Sequence, residues 1–327
     1  MKIVSLFSGI GGFDLGFIWA GHQVIWANDL WKDAVETYKL NISKDIECKD
    51  IREILSCEIP NCDMVIGGFP CQGFSLANKQ RNEKDERNFL YLEFVRIVKD
   101  KKPAFFIAEN VKGILSLGKG KVFELICKDF ESIGYNIQYS VLNAANYGVP
   151  QTRERVLIFG QRKDLSIDIK FPPKPTHQKL NGMPLFEDRQ KWISIGEVLK
   201  NIPHPQELHN LENHDASKYK LRFNGYLGHR IVNPDLPSPT ITARGDEKGG
   251  VVIHHHPNNE RRLSPRETAI IQSFPINYKF YGPKTSIYRQ VGNAVPPKLA
   301  EAVAKLFPLN VHENTEQTLS ELQMALG

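Results

Sequence analysis

The first half of the chain alternates short apolar runs with longer amphipathic segments, and this alternation constrains the fold more strongly than any other feature. The apolar runs predict β-strands at 2–7, 22–28, 62–68, 103–110, 137–144 and 155–162. Between them, apolar residues recur three and four positions apart, which predicts helices at 11–21, 29–40, 88–100 and 120–134. Strands and helices in this order are typical of an α/β fold with a mostly parallel sheet.

The composition changes after about residue 170, where prolines and histidines become frequent and the strand candidates, such as "PTITAR" and "GVVIHH", are short. We predict a second, smaller, loop-rich domain at 204–285. Helical periodicity returns at 263–274 and at 293–307, where Asn293 precedes the apolar run and prolines fall in its first turn. The last helix is expected to rejoin the first domain, which would comprise 1–203 and 286–327.

Composition excludes several classes of protein. The 327 residues have the apolar and charged fractions of a folded soluble protein, and no apolar run approaches membrane-spanning length. No basic segment followed by an apolar signal stretch opens the chain, so we expect a cytoplasmic protein. The five cysteines are odd in number and follow no Cys-x-x-Cys spacing, which argues against disulfides and zinc. No second ligand cluster accompanies the histidine run 254–256, so we predict no metal site.

A glycine-rich turn, "FSGIGG" at 7–12, follows the first predicted strand and opens the first predicted helix. Such a turn lets the backbone approach a ligand and directs helix N–H groups at negative charge. Asp29 ends the second strand, where a carboxylate can bind ribose hydroxyls, and Asp50 and Ile51 follow the next strand, where they could bracket an adenine. These features favour a nucleoside ligand. The turn lacks the third glycine of the dinucleotide fingerprint, so a nicotinamide oxidoreductase ranks last.

Cys71 lies in "GGFPCQGFS", on the loop that leaves a predicted strand at its carboxyl end, where open α/β sheets bind ligands. A second strand ends in "AENV", which places Glu109 at the same sheet edge. A reactive thiolate needs nearby positive charge, and Arg153 and Arg155 in "QTRER" can provide it. A cysteine nucleophile beside a proton-donating glutamate suits addition to an aromatic heterocycle. The other cysteines are expected to be small buried hydrophobes: Cys48, Cys57, Cys62 and Cys127.

Six motifs in a fixed order span nearly the whole chain: "FSGIGG" at 7–12, "GFPCQGFS" at 68–75, "ENV" at 109–111, "QTRER" at 151–155, "RRLSPRE" with "FP" at 261–275, and "GNAVPP" at 292–297. In these motifs the chain resembles the DNA (cytosine-5) methyltransferase family of the bacterial restriction-modification type. The region around 170–260 has no strong motif, and this is where the family holds its variable target-recognition segment.

The resemblance implies a Rossmann-like S-adenosylmethionine-dependent methyltransferase sheet, with S-adenosyl-L-methionine as cofactor and double-stranded DNA as substrate. The target cytosine is flipped out of the duplex, and Cys71 adds to its C6 as a thiolate. Glu109 holds or protonates N3, Arg155 binds O2, and Arg153 helps to orient the glutamate. C5 then attacks the sulfonium methyl, and loss of the C5 proton with elimination of Cys71 releases 5-methylcytosine.

The resemblance also assigns residues around the reacting centre. The family's cofactor-side positions match Phe7, Gly9, Gly11, Asp29, Asp50, Ile51, Pro70 and Asn293. On the DNA side, Gln72 and Ser75 match the loop that closes over the substrate, and Arg87 could meet a phosphate. Thr240 in "PTITARG" matches the position that meets the DNA backbone. The family usually carries glutamate where this chain has Asp29, so the chain differs from the family pattern at the residue that would bind the ribose.

Three interpretations are open at this stage. The main one is a sequence-specific DNA methyltransferase that acts as a monomer in the bacterial cytoplasm, associates with the nucleoid through DNA, and protects DNA from a separate cognate restriction endonuclease. A tRNA cytosine-5 methyltransferase would share the catalytic motifs, although the length of the 170–260 region favours DNA. A catalytically silent DNA-binding module is disfavoured by the intact set of Cys71, Glu109 and Arg155.

Overall fold

A computed structural model describes residues 1–70, 90–180, 186–215, 229–243, 253–258 and 261–311, without the side chains of 229–231 and 253–254. Its strands are β1 (Lys2–Leu6), β2 (Gln23–Asp29), β3 (Ile46–Cys48), β4 (Met64–Gly67), β5 (Phe105–Val111), β6 (Tyr135–Asn143), β7 (Gln151–Thr152), β8 (Glu154–Arg162), β9 (His177–Gln178), β10 (Gln190–Lys191), β11 (His229–Ile231), β12 (Ser238–Pro239) and β13 (Ile253–His255). Its α-helices are α1 (Gly12–Trp19), α2 (Lys32–Asn41), α3 (Leu90–Lys101), α4 (Lys121–Ser132), α5 (Ile195–Leu199), α6 (Pro265–Ile271), α7 (Lys284–Asn293) and α8 (Pro297–Ala304).

Seven strands form one sheet in the order β3-β2-β1-β4-β5-β8-β6. The neighbours from β3 to β5 pair in parallel, and β8 runs antiparallel to both β5 and β6. The predicted α/β class with a mostly parallel sheet is therefore confirmed. The strand order reverses between β1 and β4, and open α/β sheets bind ligands outside the carboxyl ends of the strands at such a switch point.

The sheet is buried on both faces. Successive strand residues point to opposite sides, so neighbouring residues of one strand belong to two different apolar clusters. Ile3 and Phe105 belong to one apolar cluster, which also contains Phe13 and Phe17 of α1 and the buried apolar residues of α8 from Leu299 to Ala304. Val4 and Phe106 belong to the other, together with the buried residues of α3 and α4. The contact between α1 and α8 is close: a Cβ added at Gly16 would lie 2.4 Å from the Cβ of Ala300. The C-terminal helix α8 therefore packs against the first helix of the chain, and the predicted division into domains stays a prediction.

The predicted helix at 293–307 is wrong in one respect, because two helices occupy this part of the chain. Asn293 is the last residue of α7 and does not begin the next helix. Proline disfavours helical geometry in the residue before it, and the prolines of "AVPP" separate α7 from α8, which begins at Pro297. Helix α7 was not predicted because part of its buried face is polar: Ser286 and Gln290 are 9% and 2% exposed.

Between 170 and 260 the described elements are short. The strand candidates are only partly confirmed: "PTITAR" contributes Pro239 to β12, and "GVVIHH" contributes β13. A small apolar cluster packs α5 against α6 through Ile195, Leu199, Val232, Ile241, Leu263 and Ile271. Among the described residues, no helix has the length and apolar character needed to cross a membrane.

Candidate active site

The glycine-rich turn between β1 and α1 has an unusual backbone that Asp29 holds in place. Phe7 and Gly9 have φ angles of 53° and 55°, in the left-handed region that glycine adopts without strain. The Gly9 N–H donates to Asp29 Oδ2 at 2.8 Å, and the Trp31 N–H donates to Oδ1 at 2.8 Å. Burial raises the pKa of Asp29, and these backbone hydrogen bonds partly offset that rise. Asp29 therefore connects the turn to the start of α2.

The residues that follow β3 form a second part of the site. Asn28 Nδ2 donates to the Lys49 carbonyl at 2.8 Å, which fixes the chain that leaves β3. Asp50 caps the following 3₁₀ turn by accepting from Arg52 N at 3.0 Å and also pairs with the Arg52 guanidinium at 2.8 Å. This hydrogen bonding holds the pKa of Asp50 below its usual value. Ile51, beside it, is 2% exposed.

On the other side of the switch point, β5 holds the chain that leads from β4 to Cys71. Asn110 Nδ2 donates to the Phe69 carbonyl at 2.9 Å. Gly68 fits closely against Glu109, because a Cβ at position 68 would lie 2.9 Å from Glu109 Oε2. The "ENV" and "GFPC" motifs are therefore in direct contact, with Phe69 fixed two residues before Cys71. Asn110 belongs to the "ENV" motif, but no role was predicted for it from the sequence.

Glu109 and Arg155 form an ion pair across the antiparallel β5 and β8 strands. Arg155 Nε lies 2.7 Å from Glu109 Oε1, and each side chain is 12% exposed. Arg155 Nη1 also donates to the Glu154 carbonyl at 2.8 Å. In the described structure, Arg155 is therefore the arginine that pairs with Glu109, and the orienting role expected of Arg153 stays a prediction. Glu109 pairs with Leu157 in the register, and Arg155 lies two residues before Leu157 on the same face, whereas Arg153 precedes β8.

Arg153 is 1% exposed and is held by backbone carbonyls from two distant segments. Its Nη1 donates to Ile241 O at 2.8 Å and its Nη2 to Gly292 O at 2.9 Å. Burial, reinforced by the positive charge of Arg155, lowers the pKa of Arg153 well below its ordinary value, whereas the Glu109 charge opposes that shift. Its Nε has no hydrogen-bond partner among the described residues.

These parts enclose one cavity of about 930 Å³ at the switch point. Of the predicted cofactor residues, it is lined by Phe7, Gly9, Asp29, Asp50, Ile51, Pro70 and Asn293. Glu109, Arg153 and Arg155 line the same cavity. Gly11 does not line it in the described structure, and a Cβ at this position would lie 2.1 Å from Ile42 Cδ1. Gly11 (φ 78°) thus allows the turn to pack against the end of α2, and its assignment to the cofactor side stays a prediction.

The cavity has the chemistry of a nucleoside site. Its lining combines the carboxylates of Asp29 and Asp50, the apolar side chain of Ile51 and the backbone of the glycine turn. The volume of the cavity is within the range that small-molecule ligands occupy. A Cβ added at Gly9 would meet no described atom within 4 Å, so the turn borders open space. The residues present therefore fit S-adenosylmethionine.

Two further lining residues were not predicted as part of the site. The guanidinium of Arg289 lies 4.7 Å from the ring centroid of Trp31, and this contact joins α7 to the start of α2 at the cavity. The only sequence signal was the tryptophan two residues after Asp29. Nothing in the local pattern around 289 indicated its partner.

Four predicted residues, Cys71, Gln72, Ser75 and Arg87, lie outside the described residues. Thr240, predicted to meet DNA, is described: its Oγ1 donates to Thr152 O at 2.8 Å, beside the short pairing of β12 with β7. Of the four residues predicted to contact DNA, Thr240 is therefore the one that the structure describes.

The remaining cysteines divide into two pairs. Burial raises the pKa of Cys62 to about 12 and that of Cys127 to about 11, as expected for inert thiols. Cys48 and Cys57 are exposed, which corrects the expectation that they are buried; they lie in the edge strand β3 and in a surface 3₁₀ turn. No group of three or more candidate metal ligands occurs in the described part of the chain.

Asp14, on α1 behind the glycine turn, is fully buried and accepts a hydrogen bond from Tyr38 Oη at 2.8 Å. Burial raises its pKa from 3.8 to about 6. A carboxyl with a raised folded-state pKa favours folding while it is protonated. That stability is fully present below about pH 4 and is lost as the pH rises through about 6.

Asp14→Asn should remove this loss. The asparagine side-chain oxygen can still accept from Tyr38, and the residue has no charge to bury. Relative to wild type, we expect the variant to gain up to about 3 kcal/mol in free energy of unfolding between pH 4 and pH 7.5, since one pKa unit corresponds to about 1.4 kcal/mol. Urea unfolding of both proteins at the two pH values measures the gain. Parallel pH profiles would contradict the assignment.

Comparisons with known proteins identify the family of the chain. Residues 1–307 match the family described as C-5 cytosine-specific DNA methylase. The chain is 39% identical over 343 residues to the Type II methyltransferase M.NgoFVII of Neisseria gonorrhoeae, across 94% of this chain and 88% of that protein. It is 40% identical over 335 residues to M.FnuDI of Fusobacterium nucleatum, across 93% of each. The crystal structure of the S. pombe Dnmt2 methyltransferase superposes with a TM-score of 0.72 at 20% identity, covering 94% of this chain and 98% of that one.

Proposed function

Because the chain belongs to the C-5 cytosine-specific DNA methylase family, we propose that its cavity brings the methyl donor and a flipped cytosine together. Family membership makes the chain a DNA (cytosine-5) methyltransferase that uses S-adenosylmethionine. The observation that carries the assignment of residues is that the nucleoside-binding features and the Glu109–Arg155 ion pair line the same cavity.

The cofactor half of the cavity is formed by the ends of β1, β2 and β3. Asp29 would accept hydrogen bonds from ribose hydroxyls, because each of its carboxylate oxygens accepts from a backbone N–H and has a second lone pair, and Asp50 would lie with Ile51 around the adenine. Ile51 would pack against the adenine, and the Gly9 turn would let the backbone approach the amino-acid end. When bound, S-adenosylmethionine supplies the electrophilic methyl group that cytosine C5 accepts.

The base half is assigned to Glu109 and Arg155, which line the cavity, and to Cys71. The Cys71 thiolate adds to C6, and the electron pair of the C5–C6 double bond becomes available at C5. Glu109 is ionised in its pair with Arg155, and on taking up a proton it would hold or protonate N3, which limits the negative charge that develops on the ring. Arg155 has five N–H donors, and the described contacts occupy only its Nε and Nη1, so donors are left for O2. The C5 proton then leaves to solvent, its electron pair re-forms the C5–C6 double bond as the C6–S bond breaks to restore the thiolate, and N3 returns its proton to Glu109.

DNA recognition is assigned to the second domain, 204–285, with 1–203 and 286–327 as the catalytic domain. Thr240 would meet the DNA backbone close to the flipped base, and its position beside Thr152 supports this because "QTRER" also carries Arg155. Gln72 and Ser75 would close over the substrate, with Arg87 on a phosphate. The target cytosine would be flipped out of the duplex between these residues, because both faces of its ring can be reached only outside the base stack.

The biological setting follows from the relatives' names. M.NgoFVII and M.FnuDI are named as Type II methyltransferases, and we propose that this chain protects sites from a separate cognate endonuclease. It would act as a monomer in the bacterial cytoplasm, held at the nucleoid by DNA. The tRNA alternative is not better supported, since M.NgoFVII and M.FnuDI are both named as Type II methyltransferases.

Bisulfite sequencing of DNA from cells that express the chain tests the proposed function. We expect 5-methylcytosine at one recurrent sequence context, and none in cells that express Cys71→Ala. The same treatment of total RNA from these cells provides the comparison. Methylation confined to tRNA would contradict the DNA substrate, and methylation without sequence preference would contradict a recognition domain.

A further inference from the structure

We infer that Arg153 is a positioning residue that couples DNA recognition to cofactor binding. It does so by tying the segment 240–243 to the end of α7, and it need not touch either ligand. The inference rests on the proposed function for the DNA role of Thr240, but not on the roles of Cys71, Glu109 or Arg155.

The first observation is that one buried guanidinium joins three parts of the chain. Arg153 follows β7 and donates to carbonyls that are 88 and 139 residues later in the sequence, Ile241 O and Gly292 O. Thr240, next to the first carbonyl, is the predicted backbone contact with DNA. Asn293, next to the second carbonyl, lines the cofactor cavity. A shift at either carbonyl would change the geometry at the other through one planar, rigid group.

The second observation is that the two segments also pack directly. A Cβ added at Gly292 would lie 2.4 Å from Ala243 N and 2.6 Å from Thr242 O, so the end of α7 lies directly against the backbone of this segment. Protein interiors are close-packed, and a displacement on one side of such a contact must be taken up on the other.

A third observation is a parallel path of buried glutamines. Ile241 N donates to Gln151 Oε1 at 2.9 Å, and Gln151 Nε2 donates to Gln272 Oε1 at 2.6 Å. Gln272 Nε2 in turn donates to Val291 O at 2.7 Å, next to Gly292. Both glutamines are fully buried. Arg153 and this glutamine pair therefore connect the same two segments, and neither pair of bonds is explained by the chemistry of methyl transfer.

Coupling has a thermodynamic definition: DNA changes the affinity for cofactor by the same factor by which cofactor changes the affinity for DNA. We expect that a duplex carrying the recognition site tightens binding of S-adenosylhomocysteine to the wild type by roughly 5-fold or more. Methionine at position 153 fills similar space but cannot bind the two carbonyls. In Arg153→Met, the factor by which the duplex tightens S-adenosylhomocysteine binding should fall below about 2-fold. The affinity of the variant for each ligand alone should change by less than this coupling factor does.

The experiment measures S-adenosylhomocysteine binding by calorimetry with and without the duplex, so no methyl transfer takes place during titration. Arg153→Lys, which can reach one carbonyl at a time, should keep part of the factor. Arg266→Met is the matched control, because Arg266 is equally buried, donates to Glu212 O and does not line the cavity. It should lower the melting temperature and leave the coupling factor unchanged.

Three results would overturn the inference: a wild type in which DNA leaves cofactor affinity unchanged, an Arg153→Met variant that keeps the full factor, or an Arg266→Met variant that loses it equally. The last would mean that any loss of stability uncouples the sites. Because only binding is measured, these outcomes are independent of whether Cys71 or Glu109 has its proposed role in the reaction.

Discussion

Replacing Cys71 by alanine is expected to abolish methyl transfer to DNA, with a loss of at least about 10⁴-fold in kcat, because removing a nucleophile removes the covalent step itself. Alanine has no group that can add to C6, and C5 of an unmodified cytosine is a weak nucleophile. Binding of S-adenosylmethionine should stay within about 3-fold of wild type. The assay is transfer of tritiated methyl groups to a duplex that contains the recognition site.

Cys57→Ala is the matched control for this variant. Cys57 is an exposed thiol in a surface 3₁₀ turn and does not line the cavity, so its replacement should leave kcat within about 2-fold of wild type. If Cys71→Ala transferred methyl groups at the wild-type rate, the nucleophile would have to lie elsewhere. Equal losses in both variants would indicate a general sensitivity to thiol replacement.

Glu109→Gln is expected to lower kcat by roughly 10²- to 10⁴-fold, the usual range for loss of a positioned acid or base. The amide keeps the shape of the side chain, but it cannot pass a proton to N3 and cannot form the 2.7 Å ion pair with Arg155. KM for S-adenosylmethionine should change little, since Glu109 lies on the base half of the cavity. Steady-state kinetics with each substrate varied separately measures both effects.

Glu154→Gln controls for charge at the same place. Glu154 precedes Arg155, is 48% exposed and pairs with Lys112 at 3.0 Å, and an exposed ion pair contributes little. This variant should keep kcat within about 2-fold of wild type. If Glu109→Gln were as active as Glu154→Gln, proton donation to N3 would not limit the reaction, and the ion pair would be structural.

The sequence indicated which strand ends would lie together at the cavity. Asp29 ends a predicted apolar strand, whereas Asp50 and Ile51 follow β3, whose three residues include a glutamate and are not an apolar run. In a parallel sheet the carboxyl ends of neighbouring strands meet at one edge, and all three residues line the described cavity together with Glu109. This grouping depends on local order along the chain and on a topology with few alternatives, and the roles of these residues stay predictions.

Other features depend on contacts between distant segments, which no local pattern encodes. Arg153 lies two residues from Arg155 and looks equivalent to it in "QTRER", yet the strand register directs Arg155 to Glu109 while Arg153 bonds to carbonyls at 241 and 292. Helix α7 escaped prediction for a related reason: its Gln290 is buried against Thr37, which donates to it at 2.7 Å. A buried polar pair leaves no apolar periodicity to detect.

The central claim is that Cys71 bonds to C6 of a cytosine held in the cavity. The most direct measurement is mass spectrometry of the protein after reaction with S-adenosylmethionine and a duplex whose target base is 5-fluorocytosine. Fluorine at C5 cannot leave as a proton does, so the C6–S bond should persist, and the adduct should map to the peptide that contains Cys71. An enzyme that methylates the normal duplex but forms no adduct, or forms one at another residue, would contradict the account.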